Sequence, residues 1–360
     1  MYLTVSLVFL FILLFWIIIK VDKPKIFFNP NGNVSSLVNR MKTIKEMYLS
    51  TPWLFTSNMH TIYGMRFRKS SKMQPKRETI DFPDGGCAIL DWFMPKSYSD
   101  KTPIVIICHT LGGGTREACV NNMAEKCVRK GWASVVANSR GCSGAPLTSS
   151  RIYNCYEADD LQFIVSYIKK TRSPSDIFII GFSMGAYLTA QFSFIDGSVS
   201  GTCCVSHTYD AHRAGKILED GRGDLYLPFI LSKIKHQLKK NDHIPEAHKE
   251  QALLSKTLRE FDDCFTAPYL GMKDSREYYA HTAIHSKISE IKCPMMMIGA
   301  DDDPFTGKEL MPIKEVTESK NVIFVETKTG GHVSFLTGLL GKNSFVEKVA
   351  LEWFEAIANK

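Results

Sequence analysis

The chain has 360 residues, of which 44% are hydrophobic and 22% charged. These proportions exclude disorder, collagen and coiled coil, and the length admits one large or two modest domains that need neither disulfides nor zinc to hold a core. With 44 basic against 37 acidic residues the net charge is +7, too mild and too evenly spread to argue for nucleic acid as a partner, though compatible with an anionic membrane surface.

Read from the N-terminus, the first feature is an almost unbroken apolar run, Tyr2 to Ile19, closed by Lys20. Its 18 residues reach roughly 27 Å as a helix, enough to cross the hydrocarbon core of a bilayer. A cleaved signal peptide fits less well: no basic residue precedes the run, and KVDKPK after it offers no small-residue cleavage site. Residues 1–20 are therefore expected to be a single transmembrane anchor. Lys20, Lys23 and Lys25 all follow the run, which places the rest of the chain on the cytosolic side; the sequon Asn33-Val34-Ser35 is usable only in the opposite orientation. Residues 21–75 read as a linker and N-terminal arm, whose aromatic stretch PWLFTSNMHTIYGMRFR suggests packing on the body of the protein, the favoured reading, or interfacial contact.

From about residue 76 to 360, short β-rich runs alternate with helical stretches. Thr79–Phe82 and Cys87–Phe93 read as an antiparallel pair about the turn Asp84-Gly85-Gly86. Ile104–Cys108 is a buried strand, followed by a glycine turn and a helix reaching Arg129. Next come strand Ala133–Ala137, helix Glu157–Lys170 with apolar residues at 161, 164, 165 and 168, strand Ile177–Ile180 and helix Ala186–Phe194. Val199–Val205, Met295–Ile298 and Val322–Val325 are the later strands, and Phe345–Ala358 is the closing helix. Such alternation implies an α/β fold with a mostly parallel central sheet and helices on both faces. Between about 209 and 287 the strand pattern gives way to a polar, helical insertion. It reads as a lid over the C-terminal ends of the strands, where open α/β sheets bind ligands. Its basic run from Lys233 to Lys240 reads as a solvated helix face in preference to a membrane patch. The ten cysteines show no CxxC or paired ligand spacing, and several lie in apolar runs, so they read as reduced, structural residues.

The chemistry gathers at three strand ends. Gly181-Phe182-Ser183-Met184-Gly185 follows the apolar strand DIFII and opens the helix AYLTAQF, the strand–turn–helix context that a GxSxG nucleophile requires. The helix N-terminus adds positive potential where negative charge develops. Gly141-Cys142-Ser143-Gly144 lacks the second spacer and follows a loop, so it reads as a turn. A serine needs a base to take its proton, and His332, in the glycine loop Thr329-Gly330-Gly331-His332 past the last strand, is the candidate. The acid that orients it should end the preceding strand, where Asp301-Asp302-Asp303 offers three carboxylates. Two backbone donors must hold the oxyanion: the amide of Met184, and one from His109-Thr110-Leu111-Gly112-Gly113-Gly114, best Leu111. His281 and His285 lack the glutamate of a metalloprotease pair and read as structural, so no metal is implied. No GK[ST] follows the glycine run and no GxGxxG occurs, so neither a phosphate loop nor a dinucleotide cofactor is implied.

These motifs resemble the α/β-hydrolase superfamily, and within it the membrane-anchored abhydrolase-domain branch with the YheT-like bacterial proteins. The resemblance covers nearly everything after residue 45 and rests on PWLFTSNMHTI, HTLGGG, NSRGCSG, GFSMGA, GADDDPF and GGHVSF. It implies an α/β-hydrolase domain over 76–360 with a helical lid at about 209–287. In that branch the histidine follows its acid by 29 residues, which selects Asp303 as the partner of His332 over Asp302. Members hydrolyse esters of glycerol and phospholipids, or short-chain model esters. One departure is Thr110, which stands where the family loop usually carries glycine. The resulting expectation is a membrane-anchored serine ester hydrolase of lipid esters, monoacylglycerol first, using Ser183, His332 and Asp303 without a cofactor. An acyltransferase would use the same residues with an alcohol in place of water, and a non-catalytic lipid-binding protein would retain only the fold.

Overall fold

The structure is a computed structural model that describes residues 21–359. The anchor expected at 1–20 lies outside the described residues, among which no helix is long and apolar enough to cross a membrane.

Nine strands form the central sheet. Along the chain they are β1 (Lys25–Phe28), β2 (Lys76–Asp81), β3 (Cys87–Phe93), β4 (Ile104–Cys108), β5 (Ala133–Asn138), β6 (Ile177–Phe182), β7 (Gly201–Val205), β8 (Met295–Ala300) and β9 (Val322–Thr327). Their spatial order is β1-β9-β8-β7-β6-β4-β5-β3-β2. From β9 through to β5 every pairing is parallel, and the outer pairings, β1 with β9, β5 with β3 and β3 with β2, are antiparallel. The α/β-hydrolase fold expected from the motifs is therefore present, with one strand that the sequence reading did not contain. β1 falls within the stretch read as linker; four residues between Pro24 and Asn29-Pro30 are too short to show a period, and only pairing with β9 makes them a strand.

Side-chain alternation explains why the central strands read as continuous apolar runs. Val105, Ile107, Phe178 and Ile180 point to one face, under helices Ala118–Arg129 and Phe345–Ala358. Ile104, Ile106, Ile177 and Ile179 point to the other, under helix Asp159–Arg172, whose buried residues are Leu161, Ile164, Val165 and Ile168. No cysteine is in a disulfide, and burial pushes the thiols of Cys108, Cys142 and Cys155 up to about 12, so they stay protonated as small apolar groups.

Between β7 and β8 lie helices Ala211–Ile217, Leu227–Lys239, Glu246–Leu254 and Ser275–Thr282. They carry a small core of their own around Leu231, Leu238, Phe261 and Phe265. The arm is no loose tether. Helix Ser57–Ile62 runs on into a wider turn closed by Arg68 N–H donating to Tyr63 O at 2.8 Å. The Arg68 guanidinium then donates to Glu347 on the closing helix at 2.6 Å, both side chains buried. A buried ion pair contributes less to net stability than to fixing a geometry, and here it fixes the end of the arm.

Candidate active site

The chain winds from β4 to β5 on one side and then crosses to β6 on the other side of β4. The crevice at the C-terminal ends of β4 and β6 is thus the point where strand order reverses, the position at which open α/β sheets hold ligands. Cys108, the last residue of β4, pairs in register with Gly181 of β6. The glycine loop and the GxSxG turn therefore emerge side by side.

Ser183 links β6 to helix Met184–Ile195 with φ 53° and ψ −112°. That is a strained conformation for a residue with a side chain, and such strain marks functional turns. The flanking glycines are required by contact. A Cβ on Gly181 would fall 2.1 Å from the Gly185 carbonyl oxygen, and one on Gly185 would fall 2.3 Å from the Cys108 oxygen. Ser183 Oγ lies 2.8 Å from His332 Nε2. On its other side the ring places Nδ1 at 2.9 and 3.1 Å from the two carboxylate oxygens of Asp303. Both His332 and Asp303 are buried.

The three consecutive carboxylates have separate partners. Asp301 pairs with Lys308 at 2.9 Å. Asp302 Oδ1 accepts the N–H groups of Gly330 and Gly331, each at 2.9 Å, and so holds the histidine loop. Asp303 faces the imidazole and also accepts Phe305 N–H at 2.8 Å. Other supports of that loop were not foreseen from sequence. Thr61 of the arm accepts His332 N–H at 2.9 Å, Ser206 accepts Val333 N–H at 3.0 Å, and the Phe305 ring packs 4.2 Å from the imidazole. The one sequence signal for the first is that PWLFTSNMHTI and GGHVSF both belong to the motifs that carry the family resemblance.

Leu111 and Met184 both border Ser183 in an inner cavity of about 180 Å³. Thr110, the departure from glycine, is fastened: its N–H and hydroxyl both donate to the Glu117 carboxylate, which also accepts Gly114 N–H at 3.3 Å. His109 adds a second fastening. Its Nε2 accepts Ser139 N–H at 3.1 Å, so Nδ1 carries the proton and donates to Thr110 O at 2.6 Å. Burial holds this imidazole neutral by lowering its pKa. Glu117 was missed because a glutamate opening a helix reads as an ordinary first-turn charge. Glu117→Ala is expected to lower kcat about 10–100-fold with little change in KM, since a loop displaced by about 1 Å costs on that order. Steady-state kinetics on one soluble ester checks it, and a pure KM effect would count against a role in holding the loop.

Three further histidines lie outside this arrangement. His281 lies on helix Ser275–Thr282 and His285 in the next turn, bonded to Leu310 O at 3.2 Å, so the two do not share one helix face. His207, just past β7, is fully buried against the Tyr187 and Tyr209 rings, and its Nδ1 accepts Tyr209 N–H at 2.7 Å. Burial pushes this imidazole down to about 3. The unfolded chain binds that proton near pH 6.5 and the folded one does not until about pH 3. Stability from this group is therefore present above pH 6.5 and lost as pH falls, at up to about 1.4 kcal/mol per unit. Thermal melts between pH 7.5 and 4.5 should show a shallower decline for His207→Gln than for the wild type; equal slopes would remove His207 as the cause. The turn Gly141-Cys142-Ser143-Gly144 has positive φ at Gly141, Ser143 and Gly144 and carries no nucleophile geometry.

The arrangement can move a proton from a hydroxyl to an imidazole steadied by a carboxylate, with backbone donors beside it. That is the chemistry of acyl transfer through a serine. A family profile described as alpha/beta hydrolase fold matches residues 103–339. Phospholipase ABHD3 of Mus musculus is 25% identical over 93% of this chain and 84% of its own length. Monoacylglycerol lipase of Saccharomyces cerevisiae is 25% identical over 82% and 77%. The solved structure of the Pyrococcus furiosus esterase Pf2001 superposes with a TM-score of 0.54 at 17% identity, covering 79% of this chain and 91% of that one, which bears on the fold alone. The GxSxG turn at the sheet's switch point and the profile match lead to one conclusion: this chain belongs to the α/β-hydrolase fold family.

Proposed function

We propose that this ester hydrolase acts on the acyl esters of lipids, monoacylglycerol first among them, through Ser183, His332 and Asp303. Ser183 Oγ attacks the acyl carbonyl while His332 Nε2 takes its proton. Asp303 keeps the imidazole in the correct tautomer and stabilises the imidazolium. The amides of Leu111 and Met184 receive the oxyanion. His332 returns the proton to the departing glycerol oxygen, and water, deprotonated by the same imidazole, releases the fatty acid from the acyl-enzyme.

The observation that carries this reading is the hydrogen-bonded chain Ser183–His332–Asp303 at the meeting of two cavities. The inner one is lined largely by apolar groups, Met184, Tyr187, Ile230, Ile234 and Phe261 among them, and suits a short acyl chain or the carbonyl end of a longer one. The outer one, about 930 Å³, lies within the size of a small-molecule site and suits the alcohol portion and its exit. The names of the yeast and mouse relatives, a monoacylglycerol lipase and a phospholipase, support monoacylglycerol and phospholipid esters as the class. An anchor at 1–20, an arm at 21–75 and a hydrolase domain at 76–360 with a lid at 209–287, facing the cytosol, complete the proposal.

The test is fluorophosphonate labelling of the detergent-solubilised protein, with fatty-acid release from monoacylglycerol followed in the same samples. Labelling together with release is the expected result. Release that stops while labelling persists would move the substrate elsewhere, and absence of both would sink the hydrolytic reading of the site.

A further inference from the structure

Isolated exposed apolar side chains are normal on a protein surface, but contiguous ones around a cavity mouth mark an interaction site. Most of the large apolar side chains that stay exposed among the described residues come from three places: the arm between Trp53 and Phe67, the start of the lid at Leu225 and Phe229, and the loop Leu339-Leu340. Direct contacts join them. Trp53 Nε1 donates to Leu339 O at 2.6 Å, Tyr63 Oη donates to Leu340 O, and the Trp53 and Tyr63 rings meet edge to face at 4.9 Å. Lid and arm are tied by Tyr226 Oη donating to Asn58 Oδ1 at 2.8 Å. Ile62, Met65, Leu225 and Phe229 line the same outer cavity that reaches Ser183 and His332.

We propose that this rim, formed by Trp53, Met65 and Phe67 of the arm, Leu225 and Phe229 of the lid and the Leu339-Leu340 loop, lies in the headgroup layer of an anionic bilayer. The outer cavity then opens directly onto lipid. Two observations favour a bilayer over a second copy of the chain. Basic residues punctuate the rim: Arg66 and Arg116 are exposed at the cavity, and Lys233 lies there with its ammonium 4.7 Å from the Phe229 ring. Apolar side chains beside long cations suit an interface with acidic headgroups, whereas two such rims facing each other would repel. The second is where the apolar sequence run meets the described chain. Val21 and Asp22 pair with Leu49 and Tyr48, and Thr51, two residues on, bonds Leu336 O and Gly338 O. The described chain thus begins, at Val21, beside the segment that holds the Leu339-Leu340 loop. The arm then has a task of its own, since it holds both the histidine loop through Thr61 and the docking face.

The access route rests on the proposed reading of Ser183 as the nucleophile; the docking does not, and the experiment separates them. The full chain carrying Trp16→Phe is added to phosphatidylcholine–phosphatidylserine vesicles with or without brominated acyl chains. Trp92 and Trp353 are buried and Trp132 stacks on Phe178, which leaves Trp53 as the reporter. Quenching by the brominated lipid that disappears in Trp16→Phe/Trp53→Phe is expected; no difference between the two would place the rim in water and overturn the proposal. In parallel, Phe67→Glu/Leu340→Glu, at positions 63% and 61% exposed, should lower turnover of vesicle-borne monoacylglycerol about tenfold and leave a soluble short-chain ester unchanged. An equal fall on both substrates would mean a structural role. Unchanged vesicle turnover with a smaller particle in detergent would identify a second copy as the occupant, against the proposal. Quenching without turnover of any ester would uphold docking while removing the hydrolytic reading.

Discussion

Ser183→Ala is expected to lower ester turnover by about 10⁶-fold and to abolish fluorophosphonate labelling, the cost of removing the nucleophile from a unit whose members act together. The loss should be this large because the remaining groups, the amides beside the site and His332, can then act only on water, which nothing positions as Ser183 is positioned. The substitution is clean. Alanine tolerates the same backbone as serine to within the strain already present at φ 53°, and Ser183 Oγ bonds to His332. The melting temperature should therefore change little. Turnover, labelling stoichiometry and thermal melts on the same preparation check the result. Labelling that survives the substitution would put the nucleophile elsewhere.

Asp303→Asn is expected to cost about 10⁴-fold in kcat, because an amide facing Nδ1 favours the wrong tautomer and leaves the imidazolium without its counter-charge. Its neighbours provide the control. At position 302 an asparagine oxygen can still accept the two glycine N–H groups of the histidine loop, so Asp302→Asn should stay within about tenfold of wild type. Asp301→Asn removes a surface pair with Lys308 and should be close to neutral. The three kcat values, measured on one soluble ester, give a ranking. If Asp302→Asn proved the most damaging of the three, the assignment of Asp303 would fall.

Much of the architecture was legible because the relevant signals are local. Strands β3 and β4 and the closing helix agree with their expected bounds to the residue. They are long apolar runs or a clear helical period flanked by turn residues, and no distant contact is needed to recognise them. GFSMG could be read for the same reason, since its strand, turn and helix are contiguous in the chain. The short strand Lys25–Phe28 was not legible, because its apolar content is too brief to have a period and its existence depends on β9, some 300 residues away. The arm's interior was equally hidden: the buried pair of Arg68 with Glu347 joins residues 279 apart.

At the site itself the sequence determined which residue types were present, in the order serine, acid, histidine, and at strand ends. It left three adjacent carboxylates chemically equivalent. The spacing implied by the family resemblance favoured Asp303, and the folded chain supplies the physical reason: successive residues leaving β8 point in different directions, so Asp301 meets Lys308, Asp302 meets the glycine amides and Asp303 meets the imidazole. The same holds for Thr110, which looked like a defect in a glycine loop until Glu117 was found holding both its N–H and its hydroxyl. Spacing along a chain specifies how far apart two groups can be, but the direction in which a side chain points, and hence its partner, depends on backbone turns and packing that only the tertiary structure supplies.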